Sequence, residues 1–317
     1  MKFLLIGYGY WGRNIARTLK EIGINDFIIY DEDKNQLKEA KKLYDFEIYN
    51  CVDEAIKHSD AVIIATPPKT HYFLAKKALL ANKHIFGEKP FTLNLDEAYE
   101  LIELAEKKNL KYMVDHVFLY SEPVKFIKQN IDSLGEIVYI NSRRINLGLF
   151  QYTTDVIWDL AVHDLSIIDY LVGLEIKKVS VFKRKYKDFK NEALANIDLE
   201  LNSGITISIQ VSWLSPLKVR EMIIGGSKKT IVYDDVISDK IKIYDAGVIL
   251  NPSENEKYDY LVKYHYGDIE VPTLPNNMSL TNALNHFIDC IKNNKEPLTD
   301  KKSIIPVLKA LEIISKV

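Results

Sequence analysis

The segment Gly7-Tyr8-Gly9-Tyr10-Trp11-Gly12 stands between an apolar run, Phe3 to Ile6, and a helix-period stretch that begins near Arg13. Glycines spaced this way between a strand and a helix leave few folds open, because the backbone must turn sharply and then pack closely. Gly7 permits the tight turn, Gly9 lets the backbone approach a pyrophosphate, and Gly12 lets the helix lie near the strand. Free N–H groups at the helix start add partial positive charge where phosphate oxygens would sit. The expectation is a dinucleotide-binding unit, with Tyr10 and Trp11 at the helix mouth among its contacts.

The sequence that follows repeats this unit. Short apolar runs at 3–6, 27–30, 46–49, 61–65, 84–86 and 112–114 alternate with helix-period stretches at 13–22, 36–43, 52–57, 71–81 and 96–107. Six strands with crossover helices predict a doubly wound parallel domain over residues 1–118. Beyond it the texture changes. Ile205, Ile207, Ile209, Val211 and Trp213 alternate with Thr206, Ser208, Gln210 and Ser212, and Ile197, Leu199 and Leu201 precede an Asn202-Ser203-Gly204 turn. That pattern predicts a hairpin in an antiparallel sheet with one buried face. A helical pattern over 151–171 interrupts the strands, and helices over 279–292 and 301–317 close the chain. The expected fold class is therefore α/β: a Rossmann-type doubly wound parallel sheet, then a second α/β domain over 119–317 with a large, mostly antiparallel open sheet. The terminal helices are expected to pack back toward the first domain.

Charge and cysteine content exclude several function classes. Lysine plus arginine is 42 against 44 for aspartate plus glutamate, a net charge of −2 that offers no general attraction to nucleic acid or an anionic membrane. The four apolar residues before Gly7 are too few for a signal peptide, and no run approaches the roughly 18 apolar residues of a membrane span. Cys51 and Cys290 lie far apart with no CxxC spacing, so neither a disulfide framework nor a zinc cage is expected. A reducing, cytoplasmic setting without a bound metal fits best. The densest basic cluster, Lys183-Arg184-Lys185-Tyr186-Lys187, reads as a solvated strand end.

Asp31 ends the second predicted strand 19 residues beyond Gly12, where a carboxylate accepts hydrogen bonds from the adenosine ribose hydroxyls. Asp31, Glu32 and Asp33 together would repel a 2′-phosphate, so NAD is expected over NADP. Two loops follow strands at their carboxyl ends: Thr66-Pro67-Pro68-Lys69-Thr70-His71 and Gly87-Glu88-Lys89-Pro90-Phe91. Both should border the cofactor crevice, which makes Thr66, Pro67, His71, Glu88 and Lys89 candidate cofactor contacts. A lysine there, aimed at a substrate hydroxyl, can stabilise a developing alkoxide. Farther on, Trp158-Asp159-Leu160-Ala161-Val162-His163-Asp164 spaces Asp159 and His163 by four, one turn apart on one helix face.

With these motifs the chain resembles the glucose-fructose oxidoreductase/inositol dehydrogenase (Gfo/Idh/MocA) family over essentially its whole length. The marks are Glu88-Lys89-Pro90 after the amino-terminal glycine motif and the Asp-x-x-x-His pair of Asp159 and His163. The resemblance implies that His163 is a general acid/base, that Asp159 positions the sugar or the histidine, and that Lys89 polarises the reacting hydroxyl. It further implies that Glu88 binds the nicotinamide-side ribose and that Pro90 follows a cis peptide. The stretches 114–120, 143–151 and 156–159 are similar to the sugar-nucleotide 3-dehydrogenases, which oxidise UDP-N-acetylglucosamine or its uronic acid.

On that resemblance the partner is a small sugar or sugar nucleotide, oxidised at a secondary alcohol, with C3 as the expected position. Arg144, Asn146 and Gln151 are then candidates for its diphosphate and N-acetyl group, while Arg143 should point to the other side of its strand. His116 either lines the same cleft or caps a strand. The alternatives are an NAD(P)H-dependent keto-sugar reductase, an inositol-type polyol dehydrogenase, and an NAD-dependent glycosidase with transient C3 oxidation. Related proteins assemble through the open face of the second sheet, which implies a homodimer or homotetramer using Thr206, Ser208, Gln210 and Ser212.

Overall fold

The computed structural model describes residues 1–252 and 260–317. Its first unit comprises residues 1–121 and 277–312. Five parallel strands form here, β1 (Phe3–Ile6), β2 (Phe27–Tyr30), β3 (Ala61–Ile64), β4 (His84–Gly87) and β5 (Tyr112–Val114), in the order β2-β1-β3-β4-β5. All residues of β1 and β3 are buried, as unbroken apolar runs must be when helices cover both faces of a sheet. The connecting helices are α1 (Tyr10–Glu21), α2 (Lys34–Lys41), α3 (Val52–Lys57), α4 (His71–Leu80) and α5 (Leu95–Lys107). Because β1 lies between β2 and β3, the direction of winding reverses at its carboxyl end, and a crevice opens there.

The sheet has five strands and not the six expected. Residues 46–49 form no strand. Phe46 is buried, with the Lys41 ammonium 4.8 Å from its ring centroid, but Glu47 and Ile48 are exposed. With one anchoring side chain in four residues, the segment has too little apolar area to lay down another strand, and it passes as an extended loop.

The second unit comprises residues 122–276 and 313–317. It opens with α6 (Glu122–Asn130), and its described residues form eight strands: β6 (Ile137–Leu147), β7 (Ile176–Lys185), β8 (Glu192–Leu201), β9 (Thr206–Ser212), β10 (Leu214–Gly226), β11 (Thr230–Asp234), β12 (Ile241–Pro252) and β13 (Tyr260–Glu270). Their order is β13-β12-β11-β10-β6-β9-β8-β7, antiparallel at every step except β6 beside β9. The β8–β9 pair is the expected hairpin, and Gly204 in its turn has φ +88, a conformation glycine adopts without strain.

One side of this sheet is covered by α7 (Val162–Val172). The helical pattern expected from residue 151 starts later. Gln151 and Thr154 each give a carbonyl to the Asn191 side chain, which holds the segment as a loop. Asp155 then accepts the N–H groups of Ile157 and Trp158 and caps a wide π-helical turn, Ile157–Ala161, that leads into α7. Beneath α7, Arg144 on β6 grips Asp164 through Nε (2.9 Å) and Nη2 (3.0 Å), and Ser142 Oγ donates to the same carboxylate at 2.9 Å.

Helices α8 (Ser279–Lys292) and α9 (Lys301–Lys316) follow, and residues 277–312 lie in the first unit. There the Phe287 ring sits 5.6 Å from that of Phe86, and Val114 donates its N–H to Thr299 while accepting from Thr299 Oγ1. Among the described residues no helix is long and apolar enough to cross a membrane.

The buried Arg144–Asp164 pair generates a stability prediction. Removing one partner strands a charge in the interior, which costs about 3–5 kcal/mol. Asp164→Ala should lower unfolding free energy by that amount in urea, and the double variant Arg144→Met, Asp164→Leu should recover most of it. A single variant as stable as the wild type would show that the pair contributes nothing.

Candidate active site

The three motif glycines do separable jobs. Gly7 has φ +94, and a Cβ there would lie 2.5 Å from the Ala65 carbonyl oxygen, so the turn after β1 needs glycine both for its conformation and for its approach to the β3 loop. A Cβ on Gly12 would lie 2.0 Å from the Gly7 carbonyl oxygen, which makes glycine the condition for seating α1 on that turn. Gly9 differs, since a Cβ there would meet nothing within 4 Å. The space it leaves belongs to a cleft of about 490 Å³ at the crevice, lined by Gly7, Gly9, Asp31, Glu32, Thr66 and Pro67 among others. Tyr10 and Trp11 stand exposed at the start of α1, their rings 5.6 Å apart edge to face.

At the end of β2 the Asp31 carboxylate accepts the Tyr8 N–H at 2.7 Å and the Asp33 N–H at 2.8 Å. Two backbone donors thus fix it at the cleft wall, with lone pairs left for the hydroxyls of a ribose. Glu32 lines the cleft beside it. Asp33, expected only as one more negative charge, also caps α2 by accepting the Asn35 N–H. The residues present therefore fit a dinucleotide: an open glycine approach, a helix start, and a fixed carboxylate.

His71, expected as a cofactor contact, is not available for one. It is 2% exposed, and its two ring nitrogens lie 2.8 Å from the carbonyl oxygens of Thr66 and Pro90. The imidazole braces the loop after β3 against the loop after β4, and burial pushes its pKa down against the opposing pull of the two carbonyls. Thr66 itself remains at the cleft, its Oγ1 2.7 Å from Thr70 Oγ1.

The brace positions Glu88, Lys89 and the cis Lys89–Pro90 bond at the carboxyl end of β4. Glu88 is buried and accepts the Lys89 backbone N–H at 3.3 Å; burial pushes its carboxyl up to about 7, against the opposing pull of Lys89. Asp115, at the end of neighbouring β5, is also buried, and it was not among the expected site residues. The available signal was an acid directly after the apolar run of the last strand of the first sheet. His116 is buried with Nδ1 2.8 Å from Ser303 Oγ, and burial followed by the nearby Lys89 lowers it to about 3. It is a neutral, hydrogen-bonded interior residue.

In the second unit, Asp159 lies in the π-helical turn and His163 in the first turn of α7. Trp213 Nε1 donates to Asp159 Oδ2 at 3.0 Å, an anchor that the sequence reading did not foresee. Arg144, expected to meet a diphosphate, is instead buried against Asp164. Alternation along β6 does place Arg143 on the opposite, exposed side. Asn146 and Gln151 are half-buried, the first at the end of β6 and the second in the loop before the π-helical turn.

Residues 1–116 match the oxidoreductase family with an NAD-binding Rossmann fold, and residues 132–232 match the GFO/IDH/MocA C-terminal domain. Among curated proteins the chain is similar to UDP-N-acetylglucosamine 3-dehydrogenase of Acidithiobacillus ferrooxidans, 28% identical over 251 residues and 78% of each chain. It is also similar to scyllo-inositol 2-dehydrogenase (NAD(+)) of Bacillus subtilis, 26% identical over 253 residues, 75% of this chain and 69% of that one. Among solved structures, the Acidithiobacillus ferrooxidans UDP-N-acetylglucosamine 3-dehydrogenase aligns with TM-score 0.84 at 23% identity, covering 100% of this chain and 97% of that chain. An oxidoreductase from Agrobacterium radiobacter in complex with NAD+, L-tartaric acid and magnesium aligns with TM-score 0.80 at 19% identity, covering 100% and 95%. At these identities the structural likeness establishes the fold.

The glycine geometry predicts two different failures. Gly9→Ala should fold with an unchanged thermal midpoint and bind NAD at least about tenfold more weakly, because its methyl enters the space for the pyrophosphate. Gly12→Ala should lower the midpoint itself. Equal NAD affinity in Gly9→Ala, read by calorimetry, would mean that the cofactor lies elsewhere.

Proposed function

Because the chain belongs to the Gfo/Idh/MocA family of NAD-binding oxidoreductases, we propose that it oxidises a secondary alcohol of a sugar nucleotide, at C3, with NAD as oxidant. The observation that carries this reading is the placement of Lys89 at the carboxyl end of β4, on the strand edge where the Gly9 and Asp31 cleft opens. The cofactor preference follows from the acids at that cleft. Asp31 and Glu32 offer acceptors to ribose hydroxyls and oppose a 2′-phosphate.

The residues divide the work. When bound, NAD supplies the acceptor for the hydride leaving the substrate carbon. Lys89 donates to the reacting oxygen and stabilises its negative charge as the bond breaks. His163 takes the hydroxyl proton, and Asp159, held by Trp213, orients the sugar or the imidazole. Asn146 and Gln151 remain candidates for the amide and diphosphate of the substrate, whereas Arg144 serves the interior.

Support for the sugar-nucleotide substrate comes from the 28% identical relative, which matches over 78% of this chain. The scyllo-inositol relative supports a polyol substrate as the second reading. The two separate when the enzyme is offered UDP-N-acetylglucosamine, its uronic acid and free inositols, with NADH absorbance read without any acceptor and, in a parallel assay, consumption of an added keto acid read where the reduced cofactor stays bound. Net glycoside hydrolysis without NADH would instead indicate a glycosidase.

We further propose a homodimer or homotetramer assembled through the open sheet face. Thr206 and Ser208 are exposed there and Gln210 is half-buried, but Ser212 is buried and accepts the Leu214 N–H, so it drops out of that surface. Light scattering at micromolar concentration should give at least twice the 36.6 kDa chain mass; a monomer rejects the assembly.

Lys89→Met should retain NAD binding and lower turnover about 10²-fold or more, since it removes alkoxide stabilisation without touching the glycine loop. His163→Asn should act likewise, since it removes the group assigned to take the hydroxyl proton. Near-normal turnover by Lys89→Met on the true substrate would sink the mechanism.

A further inference from the structure

The carboxyl ends of β4 and β5 bring two acids together in the interior. Gly87 pairs with Val114 in the strand register, and Asp115 donates its N–H to the Gly87 carbonyl at 2.8 Å. Glu88 and Asp115 are therefore the next residues on two adjacent parallel strands. They are 7% and 2% exposed, and Glu88 Oε1 and Asp115 Oδ1 are buried without a hydrogen-bond partner. A buried, unpartnered carboxylate oxygen is among the most costly groups a fold can hold, and protonation is the ordinary way out.

The groups that face the two acids point the same way. Lys89 supplies one positive charge that attracts both acids. His116 is neutral and bonded to Ser303 of α9, so it adds none. Tyr120 is buried and bonded to Thr299, and burial, aided by the nearby Asp115, holds its phenol un-ionised. Two ionised acids would thus leave one negative charge uncompensated in a dry place. Burial raises both acids and the Lys89 ammonium pulls both down, but Glu88 alone receives the Lys89 backbone N–H, and repulsion by Glu88 adds to burial at Asp115. The proton belongs on Asp115.

We propose that Glu88 and Asp115 act as one carboxyl pair holding a single negative charge against Lys89, and that loss of the proton on Asp115 sets the alkaline limit of turnover. Asp115 is thereby a positioning residue that works through Lys89, and the kinetic half rests on the alkoxide-stabilising role given to Lys89 above. With one charge on the pair, the Lys89 ammonium is balanced and still directed at the substrate oxygen. A second charge competes for that ammonium and opposes the developing alkoxide.

The pair also acts on stability, independently of any substrate. A carboxyl that holds its proton in the folded state above the unfolded value of about 3.9 stabilises the fold below that value. This contribution is lost as pH rises through the folded value.

Two measurements test the proposal. Urea unfolding of the cofactor-free protein between about pH 5 and pH 9 should show wild-type stability falling as pH rises, with a slope that Asp115→Asn and Glu88→Gln each reduce by about one proton. Turnover of the wild type should fall on an alkaline limb that Asp115→Asn moves up by about one pH unit or more and that Asp115→Glu restores. Wild-type slopes in both single variants would overturn the pair. An alkaline limb unmoved in Asp115→Asn would overturn its control of turnover. If no sugar or polyol is oxidised by the wild type, the functional reading fails, and the stability slopes still decide whether the pair exists.

Discussion

Helix α1 approaches the end of β1 so closely that a Cβ on Gly12 would lie 2.0 Å from the Gly7 carbonyl oxygen. That approach sets the geometry of the nucleotide edge. It carries the first N–H groups of the helix to the carboxyl end of the sheet, where the winding reverses and a crevice is left open. Gly7 in turn leaves no room for a side chain beside the Ala65 carbonyl, so the turn after β1 and the loop after β3 are fitted to each other. His71 then links the β3 loop to the β4 loop through the carbonyls of Thr66 and Pro90. A chain of short-range contacts thus runs from the glycine turn to Lys89, and a misplaced α1 would be felt at the lysine although the two are far apart in sequence.

The two units handle buried charge in opposite ways. Arg144, Asp164 and Ser142 form a closed set in which the guanidinium makes two parallel bonds and the serine satisfies the same carboxylate. Such a set locks β6 to α7 and offers nothing outward. Glu88 and Asp115 form an open set, with acceptor oxygens unmet and a single ammonium nearby. Interiors tolerate an unsatisfied group only where the surrounding packing enforces it. Here the enforcing structure is the parallel register of β4 and β5, with Thr299 holding Val114 from the far side. The closed set is an answer to folding, and the open set leaves two buried acids at the carboxyl edge of the first sheet.

How much of this could be read in the sequence depends on how local the causes are. The glycine turn, the unbroken apolar runs of β1 and β3 and the alternation of β9 are each determined within a few residues, and all were legible. The strand expected at 46–49 failed because periodicity does not reveal whether a segment finds a neighbour to pair with, and only Phe46 found the core. Arg144 and His71 were legible as polar residues at suggestive positions, but their partners, Asp164 and the carbonyls of Thr66 and Pro90, are brought in by tertiary packing. The same holds for Trp213, which reaches Asp159 from 54 positions away. Residue type and spacing therefore located the polar groups and could not say which were already engaged.

The run Asp31-Glu32-Asp33 shows why that distinction matters for specificity. Read as three charges, it is a diffuse negative patch that a mobile side chain could relieve by turning away. In the fold, Asp33 accepts the Asn35 N–H as a helix cap, and its own N–H is given to Asp31. The Tyr8 N–H holds the other oxygen of Asp31, so neither oxygen can swing out of the cleft without breaking a charge-assisted bond worth about 1.5–3 kcal/mol. A 2′-phosphate would therefore meet a carboxylate that cannot step aside, while a 2′-hydroxyl meets acceptors already aimed. The proposed preference for NAD thus rests less on the number of acids than on the two backbone N–H groups that keep one of them still.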